Sequence, residues 1–178
     1  MSKNFLSVVL FLISAFTGTA QKLTPFTVTL EAKEKVNSYL SVSQQKVYTP
    51  EAAKSNKAAI DIALIITPST NSLVMEWYNM TGKDDKIPTE LRGTATGIAG
   101  MSWDKDLFDK CNTSQDLKRM AGYITNNSFS HFGSITDDLE KGGVKYHCFL
   151  LQQENGKRAV MWLEAIDASH FKAIVKAE

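Results

Sequence analysis

Three histidines, His131, His147 and His170, are the residues best equipped for chemistry in this chain. A neutral imidazole ligates haem iron or a metal ion and moves protons near neutral pH. His131 is expected in a loop over Asn126–Ile135, between Phe129 and Phe132, whereas His147 and His170 fall in strand-like runs. Two of them, or one with a methionine, could hold haem. Alternatively they are ordinary surface or hydrogen-bonded residues, because no paired spacing such as HExxH joins them. Asp61 is the oddest ionisable residue, set within the apolar run Ile60-Asp61-Ile62-Ala63-Leu64-Ile65-Ile66. A buried carboxyl there would have a raised pKa and serve as an acid–base group; on a solvated face it would be a plain polar residue or cap.

Other reactive arrangements are missing as local motifs. Gly93-Thr94-Ala95-Thr96-Gly97 followed by Gly100 lacks the lysine and spacing of a phosphate loop, and there is no GxSxG. A Ser/His/Asp triad assembles in space, so abundant serines and aspartates neither support nor oppose a hydrolase with a dispersed site. Cys111 and Cys148 are the two cysteines. Joined, they would close a loop of about 37 residues, worth about 3–4 kcal/mol in the chain-entropy model. Left reduced, Cys148 would be a small core residue, and the spacing leaves both states open. No cysteine–histidine spacing suggests structural zinc, and no metal site is expected. Trp77, Trp103 and Trp162 are expected as core or interface anchors rather than sugar platforms. Asn79, Asn112 and Asn126 each open an N-glycosylation sequon, relevant only in a eukaryotic source.

Residues 1–20, MSKNFLSVVLFLISAFTGTA, describe an address. Lys3 precedes an apolar run from Phe5 to Phe16, and Gly18 and Ala20 supply small residues before a cleavage point at Gln21. This pattern predicts a secretory signal peptide over 1–20 and an exported chain, periplasmic or extracellular, over 21–178. Its removal takes away one lysine and no acid, leaving 19 basic against 19 acidic residues. A neutral chain has no general attraction for nucleic acid. No later run reaches about eighteen apolar residues, so no membrane insertion is expected once the leader is gone.

The elements that must position these residues follow from periodicity. Phe26–Glu31 alternates as a half-buried strand, Tyr39–Ser43 is a short strand, and Ile60–Ile66 and Leu73–Tyr78 read as strands about a Pro68 turn. Thr49 caps a short helix with Pro50 at its first position. Ser102 is placed to cap a helix carrying Leu107, Phe108 and Cys111 on one face, and Ser114 to cap another with Leu117, Met120 and Ile124. A third short helix is predicted over Asp137–Lys141. Residues 79–101, rich in glycine, are either a long loop, and so a place for a binding surface, or two poorly patterned strands. Val144–Gln152, Lys157–Ile166 and His170–Lys176 should form a three-stranded meander turning at Asn155-Gly156, with Phe171, Ala173 and Val175 inward and Lys172 and Lys176 in water. The expected fold is a single α+β domain over 21–178, an antiparallel sheet core with two or three short helices.

Lys46-Val47-Tyr48-Thr49 before Glu51-Ala52-Ala53, Asn56, Ile60-Asp61-Ile62, the stretch from Ser102 to Phe108-Asp109 and the Asn155-Gly156-Lys157-Arg158 hairpin carry a resemblance. Over residues 44–176 the chain resembles a group of uncharacterised exported β-rich domains of Bacteroidota, distantly haemophore-like. The resemblance implies a β-rich exported fold and haem as a cofactor to consider, though the chain lacks a lipidated cysteine and a clear histidine pair. The function expected is a non-enzymatic exported binding or interaction module for a protein or small-molecule ligand. A haem carrier and a dispersed-site hydrolase are the alternatives.

Overall fold

Runs such as Ile62-Ala63-Leu64-Ile65 and Cys148-Phe149-Leu150-Leu151 are apolar at every position, a pattern that suits a strand covered on both faces. In the computed structural model of the protein both faces of these strands are covered. The structure describes residues 20–31, 38–68, 73–80, 87–93, 96–101, 105–120, 131–135, 148–153, 155–166 and 170–178. The expected leader lies outside them, apart from Ala20.

The strands are β1 (Thr24–Glu31), β2 (Ser38–Ser41), β3 (Lys46–Tyr48), β4 (Ile62–Pro68), β5 (Leu73–Asn79), β6 (Thr96–Met101), β7 (His131–Ile135), β8 (Cys148–Gln153), β9 (Arg158–Ala165) and β10 (His170–Ala177). Among the described residues, helices α1 (Pro50–Asn56), α2 (Lys105–Lys110) and α3 (Ser114–Met120) accompany them, with two 3₁₀ turns, Lys57–Ala59 and Thr89–Leu91. The first sheet has the order β1-β10-β9-β8-β6 and the second β3-β2-β4-β5-β7. Every pairing is antiparallel.

The two sheets pack face to face. Leu40, Leu64 and Trp77 from the second sheet meet Phe149, Met161 and Phe171 from the first in the central core. Residues of opposite parity point the other way. Tyr39, Ala63 and Tyr78 form an outer cluster with Ala53 of α1 and Leu91. Leu150, Val160 and Trp162 form another with Phe108 on α2, Leu117 on α3 and Cys111 between the two helices. The order of layers is therefore helix, sheet, sheet, helix, and the α+β expectation holds.

The C-terminal meander forms as expected, with β8 antiparallel to β9 and β9 to β10. Phe171, Ala173 and Val175 are fully buried. Two details differ. Only Gly156 is left-handed at the turn, at φ 84°, while Asn155 is not. The Gly156 N–H donates to the Gln153 carbonyl at 2.9 Å and Gln153 N–H to that of Lys157 at 2.8 Å, so the turn closes with a glycine bulge instead of two left-handed residues. Lys176 is not in water: α2 covers that face, leaving it 7% exposed. Its ammonium donates to the carbonyls of Phe108 at 2.7 Å and Asp109 at 3.2 Å and to Asn112 Oδ1 at 3.2 Å, and lies 4.4 Å from the Phe108 ring centre. A cation at the carbonyl end of α2 is electrostatically apt. Lys172 pairs with Glu164 at 3.0 Å at the sheet surface.

Helix α1 begins as the cap rule predicts, with Thr49 Oγ1 accepting from the Ala52 N–H. Helix α3 is capped by Thr113 rather than Ser114: Thr113 Oγ1 accepts from Asp116 N–H, and Asp116 Oδ2 accepts in return from Thr113 N–H. Leu107 is 47% exposed, so Phe108 faces the sheet from α2 and Cys111 does so just beyond its end. The 79–101 segment contributes buried Ile87 and Leu91 and the edge strand β6, not an open loop alone. Gly93 lies so close to the Lys57 carbonyl that a Cβ would come within 2.5 Å of it. The predicted helix over 137–141 lies outside the described residues.

Two substitutions test these assignments. A side chain at Gly156 would meet nothing within 4 Å, so Gly156→Val should cost about 1–2 kcal/mol through backbone strain alone, and Gly156→Asn clearly less. Equal urea midpoints for the two variants would contradict the left-handed bulge. Lys176→Met keeps the stem but removes three hydrogen bonds, and should lower unfolding free energy by about 2 kcal/mol. An unchanged midpoint would mean that the ammonium does not anchor α2.

Candidate functional site

At one end of the sandwich the polypeptide leaves an open groove of about 250 Å³. Several segments converge on it because the antiparallel pairings bring their ends together: the start of β1, the end of β10 and the β8–β9 hairpin from the first sheet. The β2–β3 turn comes from the second, with Gln45 left-handed at φ 53° and its N–H on the Val42 carbonyl. Lys22 and Thr24 supply an ammonium and a hydroxyl, Ser43 and Gln45 a hydroxyl and an amide, and Phe26 a half-buried ring. Gln153, Lys157 and Arg158 complete the wall.

Arg158 and Glu178 are committed to each other. Glu178 Oε2 accepts from the Arg158 N–H at 2.9 Å and from Nη1 at 3.3 Å, and the Glu178 N–H returns to the Arg158 carbonyl at 3.0 Å. Arg158 Nε is buried without a partner among the described residues. These two side chains stiffen one wall more than they offer charge.

Asp61 lies immediately behind this end of the sandwich, 3% exposed. Its Oδ2 accepts from the Val42 N–H at 2.7 Å and its Oδ1 from Gln153 Nε2 at 2.6 Å, while its own N–H donates to the Leu40 carbonyl at 2.9 Å. The carboxylate thus ties the β2–β3 turn of one sheet to the β8–β9 hairpin of the other. Burial pushes the Asp61 carboxyl above its ordinary 3.8, and the two donated hydrogen bonds offset this in part. Its role is to position Gln153.

The sequence-predicted candidates are not gathered here. His131 opens the edge strand β7 opposite Tyr78, rather than lying in a loop, and His170 opens β10 in the other sheet opposite Glu31. His147 and Trp103 lie outside the described residues. Among the described residues, no three His, Cys, Asp or Glu side chains come together as a metal site. Cys111 and Cys148 are free thiols in the outer cluster of the first sheet, and burial pushes them up to about 11 and about 12, which leaves them unreactive at neutral pH. Trp77 and Trp162 are buried, against Phe149 at 5.3 Å and Phe108 at 6.0 Å between ring centres. They are core anchors. The Asn112 amide is spent on the Asp109 carbonyl and Lys176, so that sequon is used structurally. No helix among the described residues is long and apolar enough to cross a membrane.

Lys22, Thr24, Ser43, Gln45 and Gln153 carry no motif, and only the Asn-Gly turn marked the neighbourhood of Lys157 in advance. The Asp61 linkage has a measurable signature. A carboxyl with a raised native pKa holds its proton more readily folded than unfolded, so its contribution to stability is full below about pH 3.8 and is lost as pH rises through the native value. The unfolding free energy of the native protein minus that of Asp61→Asn should therefore fall as pH increases from 3 to 7 in urea titrations. A difference that grows with pH would mean that the hydrogen bonds outweigh burial.

No family model and no curated protein matches the chain. The crystal structure of a DUF4466 family protein from Parabacteroides merdae is similar, with a TM-score of 0.57 and 16% identity over 88% of this chain and 52% of that one. The chain spans about half the length of that structure. At this identity the likeness is one of fold, and it lies with an uncharacterised β-rich protein from Bacteroidota.

Proposed function

We propose that the chain is an exported, non-enzymatic binding module whose ligand contact is the groove at the end of the sandwich. One observation carries the reading: hydroxyl, amide and ammonium side chains from both sheets converge on a single open cavity, yet Lys22, Thr24, Ser43, Gln45 and Lys157 belong to none of the three apolar clusters. Binding residues are often carried by loops and turns that a rigid scaffold positions. Export rests on the composition of residues 1–20. Gln21 is on the groove wall, so processing before it would place a new amino terminus beside the ligand.

A cavity of this size and openness supports weak binding of single small molecules, with Kd on the order of 1 mM. Amide shifts of ¹⁵N-labelled protein titrated with glucose, glycylglycine, acetate and imidazole should concentrate at Gln45, Gln153 and Lys157. Ser43→Trp, which fills the groove from an exposed turn, should abolish them. Shifts concentrated elsewhere would displace the site. Turnover of a probe that Ser43→Trp removes would make the protein an enzyme.

A further inference from the structure

The charges around the groove are unevenly satisfied. Glu178, the acid on its wall, accepts from both the side chain and the backbone of Arg158, so each largely neutralises the other. Lys22 and Lys157 are exposed on the same groove, and among the described residues neither ammonium has a carboxylate partner. Two exposed ammonium groups thus line a cavity whose one acidic side chain among the described lining residues is already engaged.

Gln153 adds direction. Its Nε2 is held by the buried Asp61 carboxylate, which only accepts hydrogen bonds. The amide is therefore fixed with Oε1 left as an acceptor, so a ligand meeting that oxygen must donate, while the second Nε2 hydrogen stays a donor. Thr24 and Ser43 hydroxyls both donate and accept. Phe26 gives a half-buried apolar surface at the start of β1. The volume equals about eight waters, the scale of one sugar ring.

On the reading that this groove is the ligand site, we propose that it selects a small hydroxyl-rich carboxylate of sugar-acid type. The carboxylate is held by Lys22 and Lys157, and a ligand hydroxyl donates to Gln153 Oε1. Tetrahedral oxyanions are favoured less. They are best met by a forked guanidinium or a cluster of backbone N–H groups, and here the one guanidinium is engaged with Glu178.

The test titrates the purified, ¹⁵N-labelled protein with D-glucuronate, D-glucose and inorganic phosphate, following the amides of Gln45, Gln153 and Lys157. Glucuronate should bind about tenfold more tightly than glucose, and its advantage should shrink as added salt screens the exposed ammonium groups. The double variant Lys22→Ala/Lys157→Ala changes exposed side chains only, so its unfolding midpoint should be unchanged. Its affinity for glucuronate should fall about tenfold more than its affinity for glucose. Glucose binding at these amides as tightly as glucuronate would overturn the acid selectivity while leaving the groove as the site. Phosphate binding more tightly than glucuronate would overturn the sugar-acid class. Absence of shifts at these amides with all three probes would remove the groove reading itself.

Discussion

Burial on both faces of the inner strands is the constraint on which the rest of this fold depends. A strand with one wet face is held in register by polarity, since a one-residue slip drives polar groups inward. Ile62–Ile65 and Cys148–Leu151 have no such guard, because both parities are apolar and both are buried. Shape must then discriminate: Trp77 against Phe149 fits the central core, and Ala63 fits beneath α1. The few buried polar groups act as pins. Asp61 fixes β4 relative to β2 and the β8–β9 hairpin, and Lys176 fixes β10 relative to α2.

The same constraint explains which parts were legible in the sequence. The C-terminal meander was readable because Asn155-Gly156 is a strong turn signal and β10 keeps a clean alternation inward. Helices α1 and α3 were readable from cap chemistry, with Thr113 displacing Ser114 by one position. Strand β3, three residues long, was not legible, since Lys46-Val47-Tyr48 is too short to show a period. His131 reads as a loop residue because β7 carries Gly133 and Ser134, and the strand geometry comes from pairing with β5. Lys176 reads as a solvent-facing residue because alternation identifies the opposite face of a strand but not what covers it. The groove was invisible for a different reason. Its side chains come from segments as distant in sequence as Lys22 and Lys157, and antiparallel pairing alone brings them together.

The groove and the frame divide their tasks. Central and outer clusters absorb most of the large apolar side chains, so the end of the sandwich is left mainly to polar residues on strand ends and turns. The link between them is one hydrogen-bonded path from the Leu40 carbonyl through Asp61 to Gln153. A change in groove residues therefore need not disturb the core, whereas a change at Asp61 reaches both sheets.

Strand β1 runs beside β10 with Thr24 opposite Ala177 and Glu31 opposite His170. The early and late ends of the described chain therefore meet at the same edge of the same sheet. Tension applied between Thr24 and Ala177 would act across the ladder and not along it. The β1–β10 hydrogen bonds would then be loaded one after another, as in opening a zipper, and the pair would yield at low force. Because β1 is an edge strand, its peeling would bare β10 and disturb the groove, which both strands help to line, before either central sheet contact is lost.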